Sequence, residues 1–473
     1  MEHGIDKRDV GYYSTPDFMA QYIYEEMVKL NPAGSSVLDP AVGRGELLKS
    51  FIDSGKIVHG YDIIDYPNRL NGFIFHHEDF LARYISHKEN LRRQAYDYII
   101  MNPPYNSHEH TYIATNKILL QSYFKTGATN MYALFMQAVI EIAKEGCIIG
   151  TIVPQSILFT RAYDKLRDKL LQLCDICQII LCPTNLFRHN GANVDTCILI
   201  LRKGKNNGNL IRIANRSANI ATFKSLLKQH NLIVCSLADI YQRINNKSAI
   251  FVLDCPPDLI KIFTNYPRLD EIFMCGGGVS TGNNKLFTSF EKREGFEVPY
   301  YPNVNARFLA TPESFLCNDY MEQYRGTRKF IVRHPDKLEC DGIVCSGIGK
   351  SFRAAYLSKE GVTGVNAAIW APKEDVLWLI SYLNSSLVAY LLKGIIARSH
   401  ITTIGNVSSL PILNLTDCEK KTLGRISKQV INGKLAPEDA IAKIDRIVYR
   451  NINLSRGTRK MIRQFCADII HLV

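Results

Sequence analysis

Short apolar, β-branched runs alternate with stretches of helical periodicity from residue 10 to about residue 205. The runs 37–39, 57–62, 98–101, 146–153, 177–182 and 196–202 predict strands, and 18–30 and 132–144 predict helices. Strands that alternate with helices imply an α/β fold built on a mainly parallel, doubly wound sheet. A polar, Gly/Asn-rich break follows at 203–208. Residues 210–255 read as a connecting segment with one helix, 222–230, and Asp254-Cys-Pro-Pro-Asp258 is a second break. Beyond it the texture changes to a glycine-rich loop at 276–285, then shorter strands and many turns to about 415. Residues 416–473 are charged and helical in pattern, with helices predicted at 419–430 and 437–451. The boundaries expected are therefore 1–255 for an α/β domain, 256–415 for an α+β domain and 416–473 for a helical C-terminal segment.

With 473 residues, 46% of them hydrophobic, the chain is long enough for two or three packed domains. It contains no run of eighteen apolar residues, so no membrane-spanning helix is expected. Thirteen cysteines without framework spacing and a polar N-terminal stretch point to a reducing, cytoplasmic location. Cys174, Cys177 and Cys182 lack the second pair or nearby histidine that zinc needs, so no metal is expected. A net charge of +12 favours a polyanionic partner, although many soluble proteins are mildly basic.

The segment 97–105 carries the sharpest chemical signal. Its apolar run stops at Asn102-Pro103-Pro104-Tyr105, and Pro103 cannot continue a strand's ladder. Ligands of open α/β sheets bind just past the strand ends. There Asn102 offers a side-chain acceptor, Pro103 a carbonyl, and Tyr105 a flat face. Two acceptors and a stacking face suit an exocyclic amino group on a planar base, or a planar amide. A stiff loop is the plain alternative for the tetrapeptide taken alone.

Upstream, the strand 37–39 runs into Pro40-Ala41-Val42-Gly43-Arg44-Gly45 and then a helical pattern. Gly43 and Gly45 let the backbone approach a ligand closely. A dinucleotide site would want G-x-G-x-x-G here, whereas Asp39 ahead of the turn repels phosphate and welcomes a cation such as a sulfonium or amino group. Asp62, at the end of the next strand, is placed to bind ribose hydroxyls. Asp79, after the strand that follows, is placed to accept from an adenine amino group, with Phe80 packing on the ring. Singly, each is an ordinary acidic residue at a strand end; the order ahead of 102–105 is what distinguishes them.

In that order the chain resembles the gamma-class adenine-N6 DNA methyltransferases of restriction–modification systems. Their sequence of motifs appears here as Tyr12-Tyr-Ser-Thr15-Pro16, the segment 39–45, Asp62, Asp79-Phe80 and Asn102–Tyr105, followed by a second domain. The likeness covers 10 to about 205 strongly and 270–415 more loosely. It implies a methyltransferase fold with an S-adenosylmethionine pocket lined by Thr15, Asp39, Pro40, Ala41, Val42, Asp62, Asp79 and Pro104, with Phe135 touching the adenine. It also implies that Phe187, in 186–191, lies against a target base flipped out of duplex DNA. Residues 278–287 and 384–386, with 398–400 and 406–411, resemble the opening and closing segments of target-recognition domains. Lys285, Arg307, Arg328, Lys350, Arg353 and Arg398 are the candidates there for phosphate or base-edge contacts. The expected reaction is N6-adenine methylation without cleavage, by a chain that needs no second copy; a separately encoded endonuclease is a further partner the likeness allows. A protein-glutamine or RNA methyltransferase with the same amide pocket is the second reading, and a non-catalytic specificity protein the third.

Overall fold

The computed structural model describes residues 14–105, 110–126, 130–184, 186–187, 194–205, 208, 210–245, 248–338, 340–398 and 401–471. The expectations placed on Tyr12, on 188–191, and on Ser399 and His400 lie outside the described residues. The chain forms two compact units, 1–241 with 250–254, and 242–249 with 255–473.

The first unit is built on a nine-stranded sheet. Its strands are β1 (Ser36–Asp39), β2 (Ile57–Asp62), β3 (Ile74–His77), β4 (Tyr98–Met101), β5 (Ile148–Pro154), β6 (Cys174–Leu181), β7 (Thr196–Lys203), β8 (Ile211–Ala214) and β9 (Ile233–Cys235). They lie in the order β3-β2-β1-β4-β5-β7-β6-β8-β9. β1 to β5 pair in parallel, while β7 runs antiparallel to both neighbours. The central strands β4 and β5 are buried along their whole length, which is why they read as continuous apolar runs rather than alternations.

The principal helices are α1 (Asp17–Leu30), α2 (Phe80–Arg93), α3 (His110–Thr115), α4 (Met131–Ile142), α5 (Asp164–Leu173) and α6 (Ile220–Lys228). The chain steps from β1 outwards to β3 and then returns past β1 to β4. Right-handed crossovers therefore put α2, α4 and α5 on the face opposite the β1–β2 connection. Gly150 in β5 lets α1 lie directly on the sheet, since a Cβ there would strike Met27 Sδ and come within 2.8 Å of Ile23. A buried polar cluster pins the same helix: Glu26 receives Gln178 of β6 and Arg212 of β8. Tyr22 donates to Gln178 Oε1 at 2.7 Å.

Residues 210–255 do more than connect. β8 adds to the sheet in parallel beside β6, and β9 pairs antiparallel with β8. Four residues are too few for a visible alternation, although Ile211 and Ile213 are buried in the folded sheet.

The second unit contains a five-stranded sheet in the order Met274–Gly276, Ala368–Trp370, Gly342–Cys345, Ala354–Leu357, Phe308–Leu309. A four-stranded sheet orders Thr288–Ser289, Ser314–Leu316, Val298–Tyr301 and Val362–Thr363. The helices Asp417–Ile431, Pro437–Asn451 and Arg456–His471 belong to this unit rather than standing apart. Ser381, on the helix Lys373–Leu383, hydrogen-bonds Leu423 O at 2.8 Å and Ser427 Oγ at 2.7 Å. The glycine-rich loop is a packing device as well: a Cβ on Gly278 would collide with Thr363 O.

Candidate active site of the first unit

The strand order reverses between β1 and β4, and the crevice at their carboxyl ends is where open α/β sheets bind ligands. Asp39 closes β1 at that point. It is almost wholly buried, and its Oδ1 accepts from Ala41 N at 3.0 Å. Burial pushes its carboxyl well above the ordinary value, and the nearby carboxylates of Asp62 and Glu46 push the same way. The turn 40–45 folds back on β2: Val42 N donates to Tyr61 O at 2.9 Å, and Gly43 N donates to Asp62 Oδ2 at 2.8 Å. Gly43 and Gly45 have φ of 54° and 88°, the left-handed region that the turn requires. Arg44 between them lies over the Tyr66 ring at 5.8 Å.

Asp62 Oδ1 also accepts from Ile64 N at 2.9 Å, and burial raises this carboxyl too. Asp79 turns out to be the N-cap of α2, taking Leu81 N at 2.8 Å and Ala82 N at 3.2 Å on Oδ1. Its Oδ2 accepts the Tyr112 hydroxyl of α3 at 2.8 Å. Tyr112 was not anticipated from the sequence, because it stands 33 residues from its partner. Phe80 and Phe135 stack with centroids 5.9 Å apart, so the two rings assigned to the cofactor's adenine do meet.

Asn102 follows β4, and its Nδ2 donates to Thr15 Oγ1 at 3.1 Å. Thr15 is buried just ahead of α1, and that contact spans 87 residues of chain. The hydroxyl takes the amide nitrogen, so the amide oxygen is turned to the other side. Pro103, Pro104 and Tyr105 continue without regular structure, with Tyr105 only 5% exposed. Phe187 is 1% exposed, its ring enclosed. Arg216, also unanticipated, ties down the base of its loop by donating to Cys182 O at 2.7 Å and to Gln155 Oε1 at the end of β5. Gln155 in turn donates to Asp195 Oδ2 at 3.1 Å. Cys174 and Cys177 lie on β6 itself. Burial pushes the thiols of Cys174 and Cys182 up to about 12.

Residues 5–251 match the family described as N-6 DNA Methylase, over half of the chain. The chain belongs to the N-6 DNA methylase family. No curated protein matches it significantly. Among solved structures it is similar to the Type ISP restriction–modification enzyme LlaGI, as a nuclease-deletion mutant with a DNA substrate mimic. That likeness has a TM-score of 0.54 and 13% identity over 90% of this chain and 55% of that one. It is similar to the Type IIL restriction–modification enzyme MmeI in complex with DNA, with a TM-score of 0.53 and 10% identity over 96% and 75%. A DrdV–DNA complex gives 0.53 and 12% over 90% and 57%. The chain thus spans little more than half the length of two of these. The mainly parallel, doubly wound sheet, with antiparallel β7 between β5 and β6, is the α/β methyltransferase fold that the order of motifs implies.

The basic residues singled out in the second unit sit differently from one another in this methylase. Lys285 and Arg328 are exposed, on or beside short helices. Arg307, Lys350, Arg353 and Arg398 are half-buried. Arg307 is the least like a surface cation: burial and the proximity of Arg353 lower its pKa. It opens a tight turn in which Leu309 N donates to Arg307 O at 2.8 Å and buried Phe308 has a φ of 66°. Such a turn stores backbone strain.

Proposed function

We propose that this chain transfers a methyl group from S-adenosylmethionine to the N6 amino group of an adenine flipped out of a specific duplex DNA sequence, as a gamma-class enzyme of a restriction–modification system that modifies without cutting. The observation that supports this most is Asn102, set past β4 with its amide orientation held by Thr15, beside a crevice of buried carboxyls. Asp39 and Asp62 suit a ligand that brings positive charge and ribose hydroxyls. Both carboxyls are held up by burial, and a cation would draw them back to the charged form. Asp79 and the Phe80–Phe135 stack suit an adenine. Asp39, Pro40, Ala41, Val42, Gly43, Asp62, Asp79, Phe80, Pro104 and Phe135 would hold the cofactor, and Thr15 would act through Asn102.

When bound, the cofactor supplies a methyl group on a positively charged sulfur. The side-chain oxygen of Asn102 and the carbonyl of Pro103 would accept the two N–H bonds of the target amine. That localises the nitrogen lone pair and stabilises the positive charge that grows on nitrogen during transfer. Holding the two reactants in line supplies much of the remainder. Tyr105 and Phe187 would stack on the flipped base, each worth about 1–3 kcal/mol. Both rings are enclosed in the structure, so the base enters only as they are uncovered. Lys285, Arg328, Lys350, Arg353 and Arg398 would contact phosphates or base edges.

The test is methyl transfer from labelled S-adenosylmethionine to mixed-sequence duplex DNA, with nucleoside analysis and an Asn102→Ala control. Label in N6-methyladenine, lost in the variant, is the expected result. Label entering RNA or protein glutamine instead would refute the DNA assignment, since a glutamine amide presents the same pair of N–H bonds.

A further inference from the structure

Two loops of the second unit meet at an isolated antiparallel bridge between Ile348 and Ile401. Thr402 N donates to Gly347 O at 2.8 Å, so the two isoleucines form the close, non-hydrogen-bonded kind of pair, with side chains adjacent on one face. Both are largely in water, 64% and 62% exposed. The platform beneath them is held by hydrogen bonds and close packing. Gly347 N donates to Asn303 Oδ1 at 3.0 Å, and Asn366 fills the space where a Gly347 side chain would be. Ser346 N donates to Arg353 O at 2.9 Å, and Arg353 N returns a bond to Ser346 Oγ at 3.0 Å. Gly349 passes the tip with a φ of 134°, leaving Arg353 Nη1 3.7 Å from the position a Cβ there would take.

A clamped pair of β-branched side chains held largely in water buries little apolar surface for the fold. Its surroundings indicate what would cover it. Lys350, Arg353 and Arg398 lie within five residues of the pair, and neither 346–353 nor 397–403 contains an acidic residue. A neutral protein surface has no use for such a rim, whereas a duplex offers phosphates to the cations and an apolar stack of bases between them. Resting on the DNA-methylation reading above, we propose that Ile348 and Ile401 form a wedge that enters a base-pair step of the bound duplex and unstacks it, with Lys350, Arg353 and Arg398 seated on the flanking phosphates. Apolar side chains inserted in this way open a step by exchanging base stacking for protein contact.

The experiment uses the full chain and a duplex containing its own methylation site, mapped first from N6-methyladenine in treated DNA. 2-Aminopurine is moved position by position through that duplex. The wild-type chain is expected to brighten one step besides the target base. The double variants Ile348→Ala/Ile401→Ala and Ile348→Thr/Ile401→Thr should melt like the wild type, abolish that signal and bind the matched duplex about tenfold more weakly. A duplex carrying a mismatch at the same step, already unstacked, should restore their binding. Wild-type brightness, affinity and rate in both variants would overturn the wedge while leaving methylation intact. A wild-type chain that methylates no DNA would overturn the underlying reading instead. A wild-type chain that dimerises in sedimentation while the variants do not would make the pair a protein interface, and would also overturn the wedge.

Discussion

Replacing Asp39 by asparagine separates the stability of the first unit from its ability to bind a cationic ligand. Asp39→Asn keeps the oxygen that accepts Ala41 N at 3.0 Å and removes only the charge. Burial holds the Asp39 carboxyl well above its ordinary 3.8, and Asp62 and Glu46 add to the effect. A carboxyl raised in the folded state contributes stability that is complete below its unfolded pKa and is lost as the pH rises through the folded one. The wild type is therefore the more handicapped the higher the pH, and the variant escapes the handicap. The gain expected at pH 8 is about 1–2 kcal/mol, typical of relieving a functional-site compromise. For a unit of this size that is roughly 2–8 °C in melting temperature. The difference between the two proteins should shrink to nothing as the pH falls towards about 4. Binding moves the other way. Loss of a hydrogen bond to a charged partner, about 1.5–3 kcal/mol, weakens S-adenosylmethionine by roughly ten- to a hundredfold. Thermal melts from pH 4 to 8 and calorimetric titration with the cofactor measure both. A variant that melts no higher than wild type at pH 8, or that binds the cofactor as tightly, would refute the reasoning.

Three further outcomes are expected. Tyr112→Phe frees Asp79 Oδ2 from the hydroxyl it accepts at 2.8 Å; S-adenosylmethionine should bind up to about tenfold more tightly by calorimetry, and weaker binding would make Tyr112 a support of the site rather than a competitor. Gly150→Ala forces a methyl into Met27 and Ile23 beneath α1; urea unfolding should show a loss of about 1–3 kcal/mol. Phe187→Leu keeps an apolar group in an enclosed place and removes the stacking face; kcat/KM for DNA should fall about tenfold with little change in melting, and an unchanged kcat/KM would return Phe187 to the core.

The local chemistry of the first unit was legible along the chain. The two prolines after Met101 end β4, and the continuous apolar runs of β4 and β5 announce strands buried on both faces. The carboxylates Asp39, Asp62 and Asp79 follow three successive strands, which is enough to line one edge of a parallel sheet. Much of the second unit was not legible. The strands of its two larger sheets are two to four residues long, too short for a period to show. Gly278 reads as a loop residue, yet there, as at Gly347, another segment takes the room of a side chain.

Acting alone, then, the sequence determined where β1, β2 and β4 end and which chemical groups stand at those ends, because both depend on residues within a few positions of each other. Only the tertiary structure decided what those groups can do. It brought Thr15 to Asn102 across 87 residues and Tyr112 to Asp79 across 33. It spent one oxygen of Asp79 on a helix cap and buried Asp39 deeply enough to raise its carboxyl. It set Ile348 against Ile401 on an exposed tip. Each of these follows from desolvation or from contacts between distant segments, and neither leaves a trace in the local pattern of apolar and polar residues.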